Sequence, residues 1–225
     1  MNGIFSLESK LMQMLGYLAD LLILNLVFLV CCLPVVTIGP AQAGLYTAMR
    51  VLQDPEDDSS CLKAFFRGFA NGFLTITAAS LVLSVLELIL AYTLMMSMSY
   101  SDLGLFIHWI FPLVILIIVL IYHSFFPLFH SRFSCTFSQL FYNVWVMMIS
   151  HPLQAILAGV LTWLPLVLFL LAPTFFVYCS IIFLALYYSV CFLLVVLMMK
   201  KPFNKLIDHH LGLDNESAES STVAE

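Results

Sequence analysis

The sequence predicts an all-α membrane protein: a five-transmembrane-helix bundle with amphipathic helices along its cytoplasmic face. Three observations carry this. Five apolar stretches lie at about residues 15–36, 73–96, 105–126, 153–171 and 174–199, each near the ~20 residues a helix needs to cross roughly 30 Å of hydrocarbon. Hydrophobic residues make up 63% of the chain and charged ones only 9%, with a mean hydropathy of +1.07, far from the balance of a soluble domain. Seven of the eight Lys and Arg residues fall in alternate connections between the stretches.

The basic residues set the expected orientation. Arg50, Lys63 and Arg67 lie between spans one and two, Arg132 between three and four, and Lys200, Lys201 and Lys205 after span five; Lys10 alone falls on the other side. Cytoplasmic loops retain Lys and Arg, which puts the N-terminus outside and the C-terminus in the cytoplasm. Lys10 makes span one the weak point of this assignment. The net charge of -5 comes largely from Asp54, Glu56, Asp57, Asp58 and the tail acids Asp214, Glu216, Glu219 and Glu225, read as solvated. No basic cluster suits nucleic acid. Ala41-Gln42-Ala43 has the spacing of a signal-peptidase site, but the preceding apolar run is too long for a signal peptide and holds Asp20, so cleavage is not expected.

Along the chain, Pro34 removes a backbone donor near the end of span one and is expected to kink or stop it. Gly39-Pro40 suits a helix restart, and Ala41, Ala43 and Gly44 are small enough for close approach by another helix. Pro34, Thr37, Gly39, Pro40 and Gly44 thus form a helix-break and packing motif, with Arg50 closing the segment at the membrane boundary. From Leu62, apolar Phe65, Phe66, Phe69 and Phe73 alternate with Lys63, Arg67 and Asn71 at a period near 3.6, the pattern of a helix in the headgroup region. Residues from Thr136 repeat it, and His151-Pro152 separates that helix from span four. Phe65-x3-Phe69-x-Asn71-x-Phe73 matches Phe137-x3-Phe141-x-Asn143-x-Trp145, which suggests a tandem repeat of one short helix plus a helical hairpin. A single domain is expected over 1–212, with a disordered acidic tail at 213–225. The six cysteines form no CxxC pair and indicate neither a disulfide nor a zinc site.

The stretch from Asn25 through Leu33-Pro34-Val35-Val36-Thr37-Ile38-Gly39-Pro40-Ala41 to Leu45-Tyr46 resembles the signature of the YesL-like proteins. Phe65-Phe66-Arg67, Phe126-Pro127-Leu128, Arg132-Phe133 and Asn143 fit as well, and the resemblance runs from about residue 8 to 205. Those are small bacterial membrane proteins of unassigned role, commonly encoded beside ABC-type sugar importers and glycan-degrading enzymes. The resemblance implies a multi-pass protein of the bacterial cell membrane linked to carbohydrate uptake, with importer permease subunits as partners; it carries over no catalytic residue. A homo-oligomer is also compatible with the sequence.

Ionisable groups at membrane depth are costly, and therefore candidates for function. Glu87 lies about 21 Å along the helix from Phe73, and Asp20 and His108 fall within one to two turns of that depth, so the three are expected to form an intramembrane polar cluster. The competing reading is a protonated Glu87 that merely joins two helices. His123 and His130 are separated by ~10 Å along a helix and cannot share a zinc ion with ligands at ~2.1 Å, which argues against a metal. No GxSxG, HExxH or phosphate-cradling loop is present, no cofactor is implied, and an enzyme is not expected. The sequence therefore reads as a non-enzymatic accessory or scaffold component linked to carbohydrate uptake, or as a small carrier or lipid-handling protein that uses Glu87, Asp20 and His108.

Overall fold

The computed structural model describes residues 2–54, 60–98, 106–133 and 137–204, with backbone only for 2–11, 13, 98, 106–108, 137, 179 and 181–184. All regular structure among them is helical: α1 (Asn2–Cys31), a 3₁₀ turn (Val35–Thr37), α2 (Ile38–Leu52), α3 (Cys61–Ala70), α4 (Phe73–Met98), α5 (Phe106–His130), α6 (Phe137–Ser150), α7 (Pro152–Leu171), α8 (Pro173–Ile182), a π-turn (Phe183–Tyr187) and α9 (188–204). Five helices are long and apolar enough to cross a membrane, with apolar windows at Met14–Cys31, Phe73–Ser97, Trp109–His130, Pro152–Leu171 and Ala185–Asn204. The protein is an all-α integral membrane bundle.

Three spans differ from expectation at their boundaries, the last having its apolar window at Ala185–Asn204 rather than 174–199. Span one stops at Cys31, before Pro34, and the Thr37 hydroxyl bridges the break by its contacts with the carbonyl oxygens of Cys31 (2.6 Å) and Pro34 (2.7 Å). Span three runs on to His130 because Pro127, near its C-terminal end, is accommodated within the helix. The acidic tail lies outside the described residues.

One end of the bundle gathers the basic residues. His130 shares a hydrogen bond with the Asn71 carbonyl (3.2 Å), Arg50 donates to the Ser131 carbonyl (3.2 Å) and Arg132 donates to Asn204 Oδ1 (2.6 Å). These contacts bring the start of α4 and the ends of α2, α5 and α9 to a common level, here called the basic end.

The centre of the bundle is α2. Residues 39–49 of it are buried on every side, as is Val51, so this is neither a surface segment nor a one-faced amphipathic helix. Its small residues make this possible. Gly39 sits against the Ser80 side chain of α4, and a Cβ on Gly44 would come within 2.8 Å of the Phe65 carbonyl oxygen in α3. Gly68 of α3 faces Thr47 and the Ala43 carbonyl in return, so α2 and α3 cross almost backbone to backbone. On another side the Tyr46 ring stacks on Phe192 of α9 at 4.3 Å, and Phe28 of α1 meets Phe192 at 5.7 Å.

The helix order after α2 repeats, short helix then two spans, as the motif match suggests. The matched residues nonetheless occupy different places. Phe65 to Phe73 straddles the turn between α3 and α4, whereas Phe137 to Trp145 lies inside α6. Gly72, at φ +63°, provides the turn and leaves room for the His130 ring, whose Nε2 would lie 2.6 Å from an added Cβ. There is no such break in α6, which packs along α5 instead: the Tyr122 hydroxyl donates to the Phe141 carbonyl at 3.0 Å and its ring meets Trp145 at 6.0 Å. Tyr122 is eight residues before His130, about 12 Å into α5, so α6 lies deeper than a helix resting at the membrane boundary.

The last span is interrupted by its π-turn. A π-turn shifts the backbone ladder and leaves groups without their regular partner. The amide of Ser189, just past the turn, donates to Oδ1 of Asn25 at 3.2 Å, and Asn25 is fully buried. Replacing Asn25 with Leu should therefore destabilise the bundle by about 1–3 kcal/mol, the cost of a buried donor left unmet. Equilibrium unfolding in mixed micelles with increasing SDS would measure it, and an unchanged midpoint would remove Asn25 from this role.

Candidate functional site

Glu87 projects from the middle of α4 and His123 from α5. His123 Nδ1 and Glu87 Oε1 share a hydrogen bond of 2.9 Å, with side chains 5% and 11% exposed. Counted along the helices, Glu87 lies about 21 Å from the basic end and His123 about 10 Å, so depth alone would separate them. The direction of the side chains helps close that gap. Helical side chains lean toward the N-terminus of their own helix, and α4 and α5 run in opposite directions. Glu87 thus leans toward the basic end and His123 away from it, each toward the other.

The surroundings are apolar. The His123 ring lies 5.8 Å from the indole of Trp163 in α7, whose Nε1 donates to the Leu120 carbonyl at 3.0 Å. His123 Nε2 is buried and makes no hydrogen bond within the protein. A single proton between Nδ1 and Oε1 satisfies that contact, and the second ring nitrogen remains as the free position of the pair. Chemically this is a proton-holding contact between two spans. It contains no nucleophile aligned with a base.

The chain neighbours of the pair, Leu86 and Tyr122, line a groove between α4, α5 and α6. Leu83, Ile115, Ile118 and Trp145 are among its other apolar walls, and its volume is about 680 Å3, within the ~300–1,000 Å3 range of small-ligand sites. Three of its lining residues, Leu86, Tyr142 and Trp145, are exposed on the outside of the bundle.

The expected cluster is only partly what the structure shows. Glu87 is at its centre, but its partner is His123. Asp20 is half-buried on α1, which packs against α2, α3 and the π-turn, and it does not hydrogen-bond Glu87. The side chain of His108 lies outside the described residues. His130, the other histidine weighed for a metal, bonds the Asn71 carbonyl, and among the described residues no three His, Cys, Asp or Glu side chains gather. The packing motif is accounted for by Thr37, Gly39 and Gly44 as above, with Pro34 exposed in the break and Pro40 buried in the first turn of α2.

Of the interfacial basic residues, Lys63 and Arg67 are exposed. Arg50 and Arg132 are half-buried, and Arg132 also lies 5.5 Å over the Phe203 ring. Burial, and then the nearby Arg50 guanidinium, lower the Arg132 pKa from its ordinary value. Beside the α1 break, burial and then the adjacent Cys31 push the Cys32 thiol up to about 12. A thiol so rarely ionised is a poor nucleophile or metal ligand near neutral pH.

Residues 21–94 match the family model described as "Protein of unknown function, DUF624", which is the YesL-like family. Over residues 21–94 the chain is similar to that family. No curated protein and no solved structure matches the chain. The YesL-like segment takes in Asn25, the break at Pro34, all of α2 and α3, and Glu87, but it stops short of His123. The conspicuous sequence signature of this segment thus coincides with the packed centre, and the polar pair joins it to a later helix.

Proposed function

We propose that this integral membrane protein is a non-enzymatic accessory or scaffold component of the bacterial plasma membrane, with its basic end in the cytoplasm. The observation that supports this reading best is α2, whose close-packed residues fill the centre of the bundle. A body packed in that way acts through its outer faces, by lateral association with the helices of another membrane protein. The YesL-like resemblance suggests the permease subunits of an ABC-type carbohydrate importer as that partner. Tagged protein extracted from its native membrane in mild detergent should bring such a permease with it. Repeated recovery of the chain alone, or only as a homo-oligomer, would count against the proposal.

The buried Glu87–His123 pair beside a lipid-facing groove favours a second reading, a small carrier or lipid-handling protein. Glu87→Gln separates the two. If the protein is a scaffold, the variant keeps both its abundance and its partner. If it is a carrier, uptake or growth on complex glycans fails while abundance holds.

A further inference from the structure

The outward face of α3 departs from its sequence reading. Phe65 is buried against α2 together with Ala64 and Gly68, but Phe66 is 50% and Leu62 38% exposed, on the same side as Lys63 and Arg67. At 100° per residue, positions 62, 63, 66, 67 and 70 occupy about 140° of the helix circumference, so apolar and cationic side chains share one stripe. A helix face turned to water would not hold out a half-exposed Phe beside a Leu, and a face turned to hydrocarbon would not hold out Lys and Arg. Among the described residues, no carboxylate lies within ion-pair distance of Lys63 or Arg67. The Asn71–Gly72 turn fixes this stripe at the start of α4, the basic end, and Arg132, Lys200 and Lys201 lie at the same end. The acidic run Glu56-Asp57-Asp58 precedes α3 in sequence and lies outside the described residues.

We propose that α3 is a docking face for anionic phospholipid headgroups, with Lys63 and Arg67 on the phosphates and Leu62 and Phe66 among the first methylenes of the acyl chains. The warrant is charge complementarity combined with amphipathic depth. A polybasic surface attracts anionic lipid, and each cation near such a surface strengthens binding by roughly fivefold. The inference rests on the chain lying in a membrane and does not depend on any protein partner.

The test places a Trp at the stripe by Phe66→Trp in the full chain, reconstituted into nanodiscs that contain brominated phosphatidylglycerol or brominated phosphatidylcholine. Quenching beyond that of the three native Trp residues reports the lipid next to α3. Brominated phosphatidylglycerol should quench several-fold more effectively at equal mole fraction, and Lys63→Gln with Arg67→Gln should abolish the difference. The charge-retaining pair Lys63→Arg and Arg67→Lys should preserve it, which separates lost charge from lost fold. Equal quenching by the two lipids, or a preference that survives the Gln pair, would overturn the proposal. So would relief of the quenching by inorganic phosphate beyond the effect of chloride at matched ionic strength, because the site would then belong to the free anion.

Discussion

His123→Leu should lower the stability of the bundle by about 2–3 kcal/mol, and adding Glu87→Leu should restore most of that loss. The single variant leaves the buried Glu87 carboxyl without its hydrogen bond. The double variant leaves no polar group to satisfy. Interhelical hydrogen bonds within membranes contribute on the order of 1 kcal/mol, but each single variant also strands a buried polar group, so the double-mutant cycle should give a coupling of at least about 2 kcal/mol. Unfolding of all four proteins in SDS-containing mixed micelles would give the numbers. Additive losses would mean that the pair is not coupled in the membrane, and the case for a proton-holding contact would go with it.

Gly44→Val should be at least as damaging. Its Cβ alone would stand 2.8 Å from the Phe65 carbonyl oxygen and 3.2 Å from the Phe69 amide nitrogen, which are backbone atoms that no rotamer change can move. The α2–α3 crossing must open, at a cost of about 3 kcal/mol, the upper part of the range for overpacked cores. Gly16→Ala is the matched control. Nothing lies within 4 Å of its added Cβ on α1, so helix propensity alone applies and should yield a gain of up to ~1 kcal/mol. A Gly44→Val protein that unfolds at the wild-type midpoint would show that the two helices do not meet in this way.

The spans were readable because hydropathy over twenty residues outweighs everything else at this composition. The Pro34 break and the small residues after it were readable for local reasons, a missing donor and missing side-chain bulk. Where α2 sits was not readable. Its mean composition is compatible with either a boundary helix or a central one, and burial on all sides depends on Phe65, Ser80 and Phe192, which are remote in sequence. Leu62 and Phe66 were assigned to the wrong side of α3 because the apolar positions 62, 65, 66, 69 and 73 form one arc of about 100°, and only contact with α2 decides which edge of it is covered. Glu87 was identified as a candidate, but its partner was not. Depth counted at the Cα ignores that side chains on antiparallel helices lean toward each other, and a pairing rule that included this lean would have brought His123 into consideration. The π-turn had no sequence signal of its own; the buried Asn25 opposite it was the nearest hint.

The stacking of Tyr46 on Phe192 also constrains how the chain is made. The hydrophobic centre formed by α2 is closed by an aromatic ring that leaves the ribosome about 146 residues after Tyr46. Until the final helix enters the lipid, α2 has lost contact with water on some sides and gained no neighbour on others. Assembly of this protein is therefore completed post-insertion, and truncations that remove the last helix should be substrates for membrane quality control even though every earlier helix is intact.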